Sequence, residues 1–166
     1  MRLAHALAVA AIVSFVSPAM AQQFTAGDIT VAHPWARATP KGASVGAGYM
    51  AISNKGAVAD TLIRISTEAA GDVQMHETKK EGGVTLMRPL AGGLAIPAGG
   101  GAEFKPGGYH IMFTDLKAPF RQGDKIKAVL TFEHAGAVPV EFKVEGVGAM
   151  SPATTMDGNM PGMKMN

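Results

Sequence analysis

The sequence predicts an all-β protein, an antiparallel β-sandwich or barrel, and three observations favour this fold class. Apolar and polar residues alternate with a period of two, most clearly over residues 125–130 and 138–144, as in strands with one buried face. Turns rich in Gly, Asn, Asp and Pro recur along the chain, as at residues 54–56 and 106–108. No long segment has helical periodicity. Many short strands between regular turns are typical of sandwiches and barrels.

Nine segments between these turns have the length and composition of strands. They are Ile29–Trp35, Val45–Ser53, Thr61–Ser66, Val73–Thr78, Val84–Pro89, Gly101–Phe104, Tyr109–Leu116, Lys125–Glu133 and Val138–Val144. Together they form the folded body of the protein, which we expect to span residues 22–147 and to be a monomer.

The two ends of the chain differ from this body. Residues 1–21 combine a basic Arg2, an apolar run at 6–16 and a small-residue cleavage site ending at Ala21, which is typical of a signal peptide. The apolar run is shorter than the roughly 20 residues that span a bilayer. We therefore predict cleavage after Ala21, export to a bacterial periplasm and no membrane span in the mature chain. Residues 148–166 lack branched apolar residues and are predicted to be disordered.

Composition excludes several classes of function. The 166 residues include no cysteine, which excludes disulfides, a thiolate zinc site, a thiol nucleophile, a lipid-modified cysteine and a blue-copper centre. Lys and Arg total 15 and Asp and Glu total 13, so the charge gives no reason to expect nucleic-acid binding. The chain also has no nucleophile elbow and no phosphate loop. These features predict a binding protein rather than an enzyme.

The segment Tyr109–Leu116 carries a pair of residues that core packing does not require. His110 and Met112 share one face of the predicted strand, because residues two apart in a strand point to the same side. Tyr109, Ile111 and Phe113 occupy the other face and have the character of core residues. The pair is therefore predicted to point away from the main core.

A second pair lies in the predicted hairpin at residues 73–89. A loop centred on residues 81–82 would put His76 directly opposite Met87, at a Cβ separation of about 4.5–5.5 Å. A turn at residues 82–83 would make the pair diagonal but would keep both side chains on one face. A shift of one residue would put them on opposite faces.

Two imidazoles and two thioethers form a neutral, soft set of donors. Such a set suits Cu(I), whereas zinc prefers imidazole, thiolate or carboxylate, and calcium and magnesium prefer oxygen. A single methionine in a β-protein usually fills the core, so the alternative is that both pairs are ordinary packing. The tail adds thioethers where no core exists, and it is a secondary candidate for copper binding through Met150, Met156, Met160, Met163 and Met165.

The order and spacing of these residues resemble the periplasmic copper chaperone family PCuAC. Ten residues separate His76 from Met87, and twenty-two separate Met87 from the His110-x-Met112 pair. The phrases HPWARATPKGASVGAGYM, MHETKKEGGVTLMRPL, IPAGGGAEFKPGGYHIMF and LTFEHAG are also similar to the family. The resemblance extends from about Asp28 to Val147, and the gap before His110 is one residue longer than the usual motif.

The resemblance implies a cupredoxin-like sandwich that binds Cu(I) through His76, Met87, His110 and Met112. It implies copper delivery towards the binuclear copper centre of cytochrome c oxidase, with the copper-site subunit of the oxidase or a Sco-type thiol protein as partner. Two other functions remain open at this point. One is copper buffering or resistance without a dedicated acceptor, and the other is a metal-free interaction sandwich with core methionines. An oxidase or reductase is the weakest alternative, because four protein ligands leave no open position for a substrate.

Overall fold

The computed structural model of the protein describes residues 22–153. The predicted signal peptide and residues 154–166 of the predicted tail lie outside this range. Eleven strands form within the described residues: β1 Gln23–Ala26, β2 Ile29–Arg37, β3 Val45–Asn54, β4 Asp60–Thr67, β5 Ala70–Glu81, β6 Val84–Pro89, β7 Leu94–Ile96, β8 Gly101–Phe104, β9 Tyr109–Leu116, β10 Lys125–Phe132 and β11 Gly136–Glu145. In this part of the chain, no helix has the length and apolar character needed to cross a membrane.

The strands form one open sheet that folds over to make the two layers of a sandwich. Their order is β6-β5-β9-β8-β3-β2-β11-β10-β4-β7, and β1 pairs with β2. Most neighbours are antiparallel, but β11 with β2 and β8 with β9 are parallel. The predicted all-β fold class is confirmed, and the two parallel pairings make the sheet mixed.

The alternation of side chains explains why these segments are strands. In β10, Ile126, Ala128, Leu130 and Phe132 are buried, whereas the residues between them are mostly exposed. All nine predicted strands are present, and eight of them differ from the prediction by at most two residues at an end. The ninth, β5, is extended by three residues at each end and has twelve residues instead of six. Strands β1 and β7, which have four and three residues, were not predicted, because so short a segment shows too little alternation to distinguish it from a loop.

Aromatic rings from different strands fill the space between the layers. The ring of Phe113 in β9 makes edge contacts with Phe120 and with Phe142 in β11, at centroid distances of 5.5 and 5.8 Å. Gly48 in β3 makes room for this cluster, because a Cβ atom there would lie 2.7 Å from the Phe113 ring. The cluster fixes one face of β9 against the core and leaves the other face of the strand free for the site.

A buried carboxylate ties the start of β4 to the turn between β10 and β11. Asp60 is 5% exposed, and its oxygens accept hydrogen bonds from the backbone N–H groups of Thr61, His134 and Ala135 at 2.7–2.9 Å. Burial acts to raise the pKa of Asp60, but these hydrogen bonds and that of the His134 side chain lower the pKa below its ordinary value. The ionised form is therefore the one that the fold stabilises.

Replacing Asp60 by asparagine is expected to reduce the free energy of unfolding by about 1–3 kcal/mol. The amide NH₂ group would face backbone N–H donors, and at least one of them would lose its acceptor. In the native protein this contribution is present above the ordinary pKa of an aspartate and is lost as the pH falls through the lower folded-state value. Urea denaturation of both proteins at neutral and acid pH measures both effects.

The matched control for this prediction is Asp124→Asn. Asp124 is exposed and accepts one backbone hydrogen bond, from Arg121 at 3.2 Å. We expect a change of less than about 0.5 kcal/mol for this surface position. Equal losses at Asp60 and Asp124 would contradict the role given to the buried carboxylate.

Candidate metal centre

The two histidines are direct partners on adjacent strands. His76 in β5 lies opposite His110 in β9 in the antiparallel ladder, and their ring centroids are 5.6 Å apart with an angle of 60° between the planes. Met112 follows two residues along β9 and lies opposite Gln74 of β5. Because directly opposed residues in an antiparallel pair project to the same side, these side chains share one face of the sheet.

The opposite face of the same strands belongs to the core, as the alternation predicts. Ile111 and Phe113 are fully buried, and Met75, which precedes His76, is 7% exposed. His76, His110 and Met112 are only partly buried. The strand pleat therefore separates core side chains from candidate ligands within one run of residues.

The β5–β6 hairpin brings Met87 to the same face. Its register puts Thr78 opposite Met87 and His76 opposite Pro89. The direct pairing of His76 with Met87 is therefore wrong, and the diagonal alternative is the one observed. Gly82 and Gly83 explain the shift, since both have positive φ, at 58° and 83°, and form the two-residue turn that links tightly paired strands.

A cleft of about 430 Å³ opens beside this face. Its lining includes Met87, His110 and Met112, together with Thr78 and Tyr49. Met87 is 59% exposed. His76 is not part of this lining, but it lies next to His110, which is. The structure thus brings all four predicted residues to one face and opens three of them to one cleft.

Hydrogen bonds determine which nitrogen of His110 carries the proton. Its Nδ1 lies 3.2 Å from the carbonyl oxygen of Gly108 and 3.4 Å from the hydroxyl of Thr78. A carbonyl oxygen can only accept, so Nδ1 donates and carries the hydrogen. The Nε2 atom of His110 then keeps its lone pair and is available to a metal.

His76 has a different environment. Its Nδ1 atom is buried and has no hydrogen-bond partner, whereas its Nε2 atom lies 3.0 Å from Oε1 of Gln74. Burial lowers the pKa of His76, and the neighbouring imidazole of His110 lowers it further. The neutral ring that results is the form that ligates metals. A buried nitrogen without a partner is rare in proteins, and a metal ion would satisfy it.

The cleft carries little charge. Among the described residues that line it, Arg37 is the only charged one. The Nε atom of Arg37 donates to the carbonyl of Ala149 at 2.8 Å, and its Nη2 atom lies 3.2 Å from Sδ of Met150. The guanidinium of Arg37 also lies 5.4 Å from the ring centroid of Tyr49. Residues 22–153 contain no cluster of three or more His, Cys, Asp or Glu side chains suited to a metal. The described lining of the cleft therefore offers neutral nitrogen and sulfur donors and includes no carboxylate, which suits a soft, monovalent cation better than a divalent one.

The methionines of the predicted tail fall into two groups. Met150 is within the described residues, is exposed, and contacts Arg37 at the edge of the body. Met156, Met160, Met163 and Met165 lie outside the described range. Three residues at the site were not predicted from the sequence: Arg37, Gln74 and Thr78. Only Gln74 and Thr78 had a local signal, because each lies two residues from His76 on the same strand.

Fold and site together define a β-sandwich that carries a neutral cluster of histidine and methionine side chains on one face. The family described as "Putative lipoprotein LpqE-like" matches residues 29–144, and the chain belongs to this LpqE-like family. A protein of Leifsonia xyli subsp. xyli (strain CTCB07) named "Putative lipoprotein Lxx21020" is 33% identical over 120 residues, which are 72% of this chain and 71% of that protein. The uncharacterized protein RP573 of Rickettsia prowazekii (strain Madrid E) is 30% identical over 114 residues, or 67% of this chain and 63% of its own length.

Solved structures of PCuAC domains have the same fold. The copper-bound PCuAC domain from PmoF2 is 26% identical with a TM-score of 0.64, covering 75% of this chain and 97% of that domain. The apo form of the PmoF2 domain has a TM-score of 0.65 at 26% identity, covering 78% and 98%. The solution structure of CuI-DR1885 from Deinococcus radiodurans, at 24% identity and a TM-score of 0.57 over 75% of this chain and 80% of that one, shares the fold. The resemblance to the PCuAC family is confirmed.

Proposed function

We propose that the protein is a periplasmic copper metallochaperone that binds Cu(I) through His76, Met87, His110 and Met112. The observation that carries this proposal is the direct opposition of His76 and His110 in the β5–β9 ladder. Met112 and Met87 project from the same face of the three adjacent strands. Four soft or intermediate donors on one face of the sheet support the proposal, and the described lining of the adjoining cleft includes no carboxylate.

The chemistry of these donors favours Cu(I) over other metals. Thioethers bind Cu(I) well and bind calcium, magnesium and zinc poorly. The positive charge of Arg37 in the cleft adds a repulsion that a divalent ion feels about twice as strongly as a monovalent one. Copper in the similar domain from PmoF2 supports the same choice of metal.

The exposure of the site favours transfer over storage in a closed core. Met87 is 59% exposed, and the cleft gives access to Met112 and His110. A partner could therefore reach the metal and displace a weakly held thioether. In a metal-free sandwich we would expect Met87 and Met112 to be buried away from both histidines, which is not the arrangement of these residues.

We extend the proposal to the partner and the compartment by family resemblance. The copper would pass towards the copper-site subunit of cytochrome c oxidase, directly or through a Sco-type thiol protein. The N-terminal residues would act as a signal peptide cleaved after Ala21. The match to a family described as lipoproteins supports export.

A Cu(I) competition titration under anaerobic, reducing conditions tests the proposal. The chain from Gln22 to Asn166 should take up one tight equivalent in its body and should release it to a reduced Sco-type protein. Uptake without release to any thiol or oxidase acceptor would favour copper buffering as the function. Absence of tight uptake would contradict a copper function altogether.

The tail methionines are proposed as a second, weaker set of Cu(I) ligands. Met150 would belong to this set with Met156, Met160, Met163 and Met165, and the tail would raise the copper concentration near the body site. Truncation after Ala153 should remove the weaker equivalents, slow copper transfer and leave the tight equivalent intact. Unchanged stoichiometry and an unchanged transfer rate in the truncated protein would refute this role.

A further inference from the structure

Three side chains on β5 form a hydrogen-bonded chain that ends at a candidate ligand. They occupy every second position of the strand, at Asp72, Gln74 and His76, and therefore project from one face. Nε2 of Gln74 donates to Oδ2 of Asp72 at 2.9 Å, and Oε1 of Gln74 lies 3.0 Å from Nε2 of His76. Nothing in the ligand motif requires Asp72 or Gln74.

The direction of this chain follows from its carboxylate end. An ionised carboxylate has only acceptors, so the group of Gln74 that faces Asp72 must be the NH₂ group. The amide oxygen of Gln74 then faces His76, where it accepts a hydrogen bond. Nε2 of His76 must carry the proton, and Nδ1 of His76 must carry the lone pair. This Nδ1 is the atom that is buried without a partner.

His110 has the opposite arrangement, although it lies directly across the ladder. Its Nδ1 atom donates to the carbonyl of Gly108, and its lone pair is on Nε2. Two neighbouring imidazoles on paired strands thus present different nitrogens. The cause is local in each case, since Gln74 acts on one ring and Gly108 acts on the other.

We propose that His76 binds Cu(I) through Nδ1, that His110 binds it through Nε2, and that Gln74 is a positioning residue held in place by Asp72. The inference rests on the proposed Cu(I) function and specifies its ligand atoms. A group that hydrogen-bonds the remote nitrogen of a metal-binding histidine fixes both its tautomer and its ring orientation. Gln74 does so without placing a negative charge next to the ring, which keeps the donor set neutral.

The solvent exposure of Gln74 sets the expected size of its effect on Cu(I) affinity. Asp72 and Gln74 are both exposed, so water competes for their hydrogen bonds. Partners of this kind change metal affinity by about 10–100-fold, and an exposed one belongs at the lower end. We therefore expect Gln74→Leu to weaken Cu(I) binding by about tenfold.

Imidazole ¹⁵N NMR on the chain from Gln22 to Asn166 tests the inference directly. The spectra distinguish protonated, unprotonated and metal-bound ring nitrogens, and Cu(I) is diamagnetic. In the apo protein above neutral pH, we expect His76 to be protonated at Nε2 and His110 at Nδ1. On addition of Cu(I), the signals of His76 Nδ1 and His110 Nε2 should shift.

Variants separate positioning from folding. Gln74→Leu should give a mixture of His76 tautomers with an unchanged His110, and Asp72→Asn should give a smaller change in the same direction. The matched control is Thr114→Val, since Thr114 lies opposite Asp72 in β9 and its hydroxyl donates to the backbone carbonyl of Asp72 at 3.4 Å, outside the chain of side-chain hydrogen bonds. The control should leave both histidine tautomers as they are in the native protein.

The possible failures can be told apart. A Cu(I)-induced shift at His76 Nε2, or a His76 tautomer that does not respond to Gln74→Leu, would overturn the inference and leave copper binding intact. No Cu(I)-induced shift at either histidine would overturn the proposed function and the inference with it.

Discussion

Replacing Met112 by isoleucine is expected to lower the affinity for Cu(I) by at least about 100-fold, since even partners outside the ligand set change affinity by about 10–100-fold. Isoleucine keeps a similar volume and removes the sulfur. Met112 lies on the site face of β9 next to His110 and lines the cleft. A competition titration against a Cu(I) chelator of known affinity measures the loss.

Met75→Ile is the matched control for this prediction. Met75 precedes His76 on β5, but it projects to the opposite face and is 7% exposed in the core. Its replacement should leave the Cu(I) affinity unchanged and should cost less than about 1.5 kcal/mol of stability, as volume-conserving core changes do. Equal losses of affinity in both variants would mean that stability, and not a missing thioether ligand, explains the effect of Met112→Ile.

Replacing Phe113 by alanine is expected to destabilise the fold by about 3–5 kcal/mol. Phe113 is fully buried and packs edge-on against Phe120 and Phe142. The cavity left by its ring would adjoin Gly48, which has no side chain to fill the space. Because small domains are stable by only about 5–15 kcal/mol, the loss would be a large fraction of the total. Equilibrium denaturation in urea, with a two-state fit, measures it.

Val129→Ala is the control for the core prediction. Val129 lies in β10 between two buried residues, but it projects outward and is 36% exposed. We expect a change of about 0.5 kcal/mol or less at such a surface position. A loss at Phe113 no larger than that at Val129 would show that the aromatic cluster does not hold the two layers together.

Local patterns predicted most of the fold. Period-two alternation, clearest in β10 and β11, and the turns between strands predicted nine of the eleven strands found in residues 22–153, because burial of one face imposes this alternation on the sequence itself. The edge segments β1 and β7 escaped detection because alternation over three or four residues carries little information. The two parallel pairings were also missed, for different reasons. β2 and β11 are distant in the chain and have no turn signal that would link them directly. β8 and β9 are separated by only four residues that contain a turn, and such a short turn favours an antiparallel hairpin.

Part of the site was also predicted from the alternation of side chains along a strand. Spacing of two residues put His110 and Met112 on one face, away from Ile111 and Phe113, and the strands obey that rule. The residue opposite His76 in the hairpin was predicted wrongly as Met87. The sequence allowed the hairpin to close at residues 81–82 or at residues 82–83. In the structure Gly82 and Gly83 form the turn, both with positive φ. The direct neighbour of His76 across the ladder is His110, thirty-four residues away in the chain.

The sequence by itself determined the fold class, the separation of core from site side chains along each strand, and the soft, neutral character of the candidate ligands. These properties depend on residue type and on the pleat of a single strand. Only the tertiary structure decided that β5 pairs with β9, that Arg37 enters the cleft, and that different nitrogens of His76 and His110 are free. Each of these depends on which strands are neighbours, and that choice is made by packing of the whole core rather than by any local pattern.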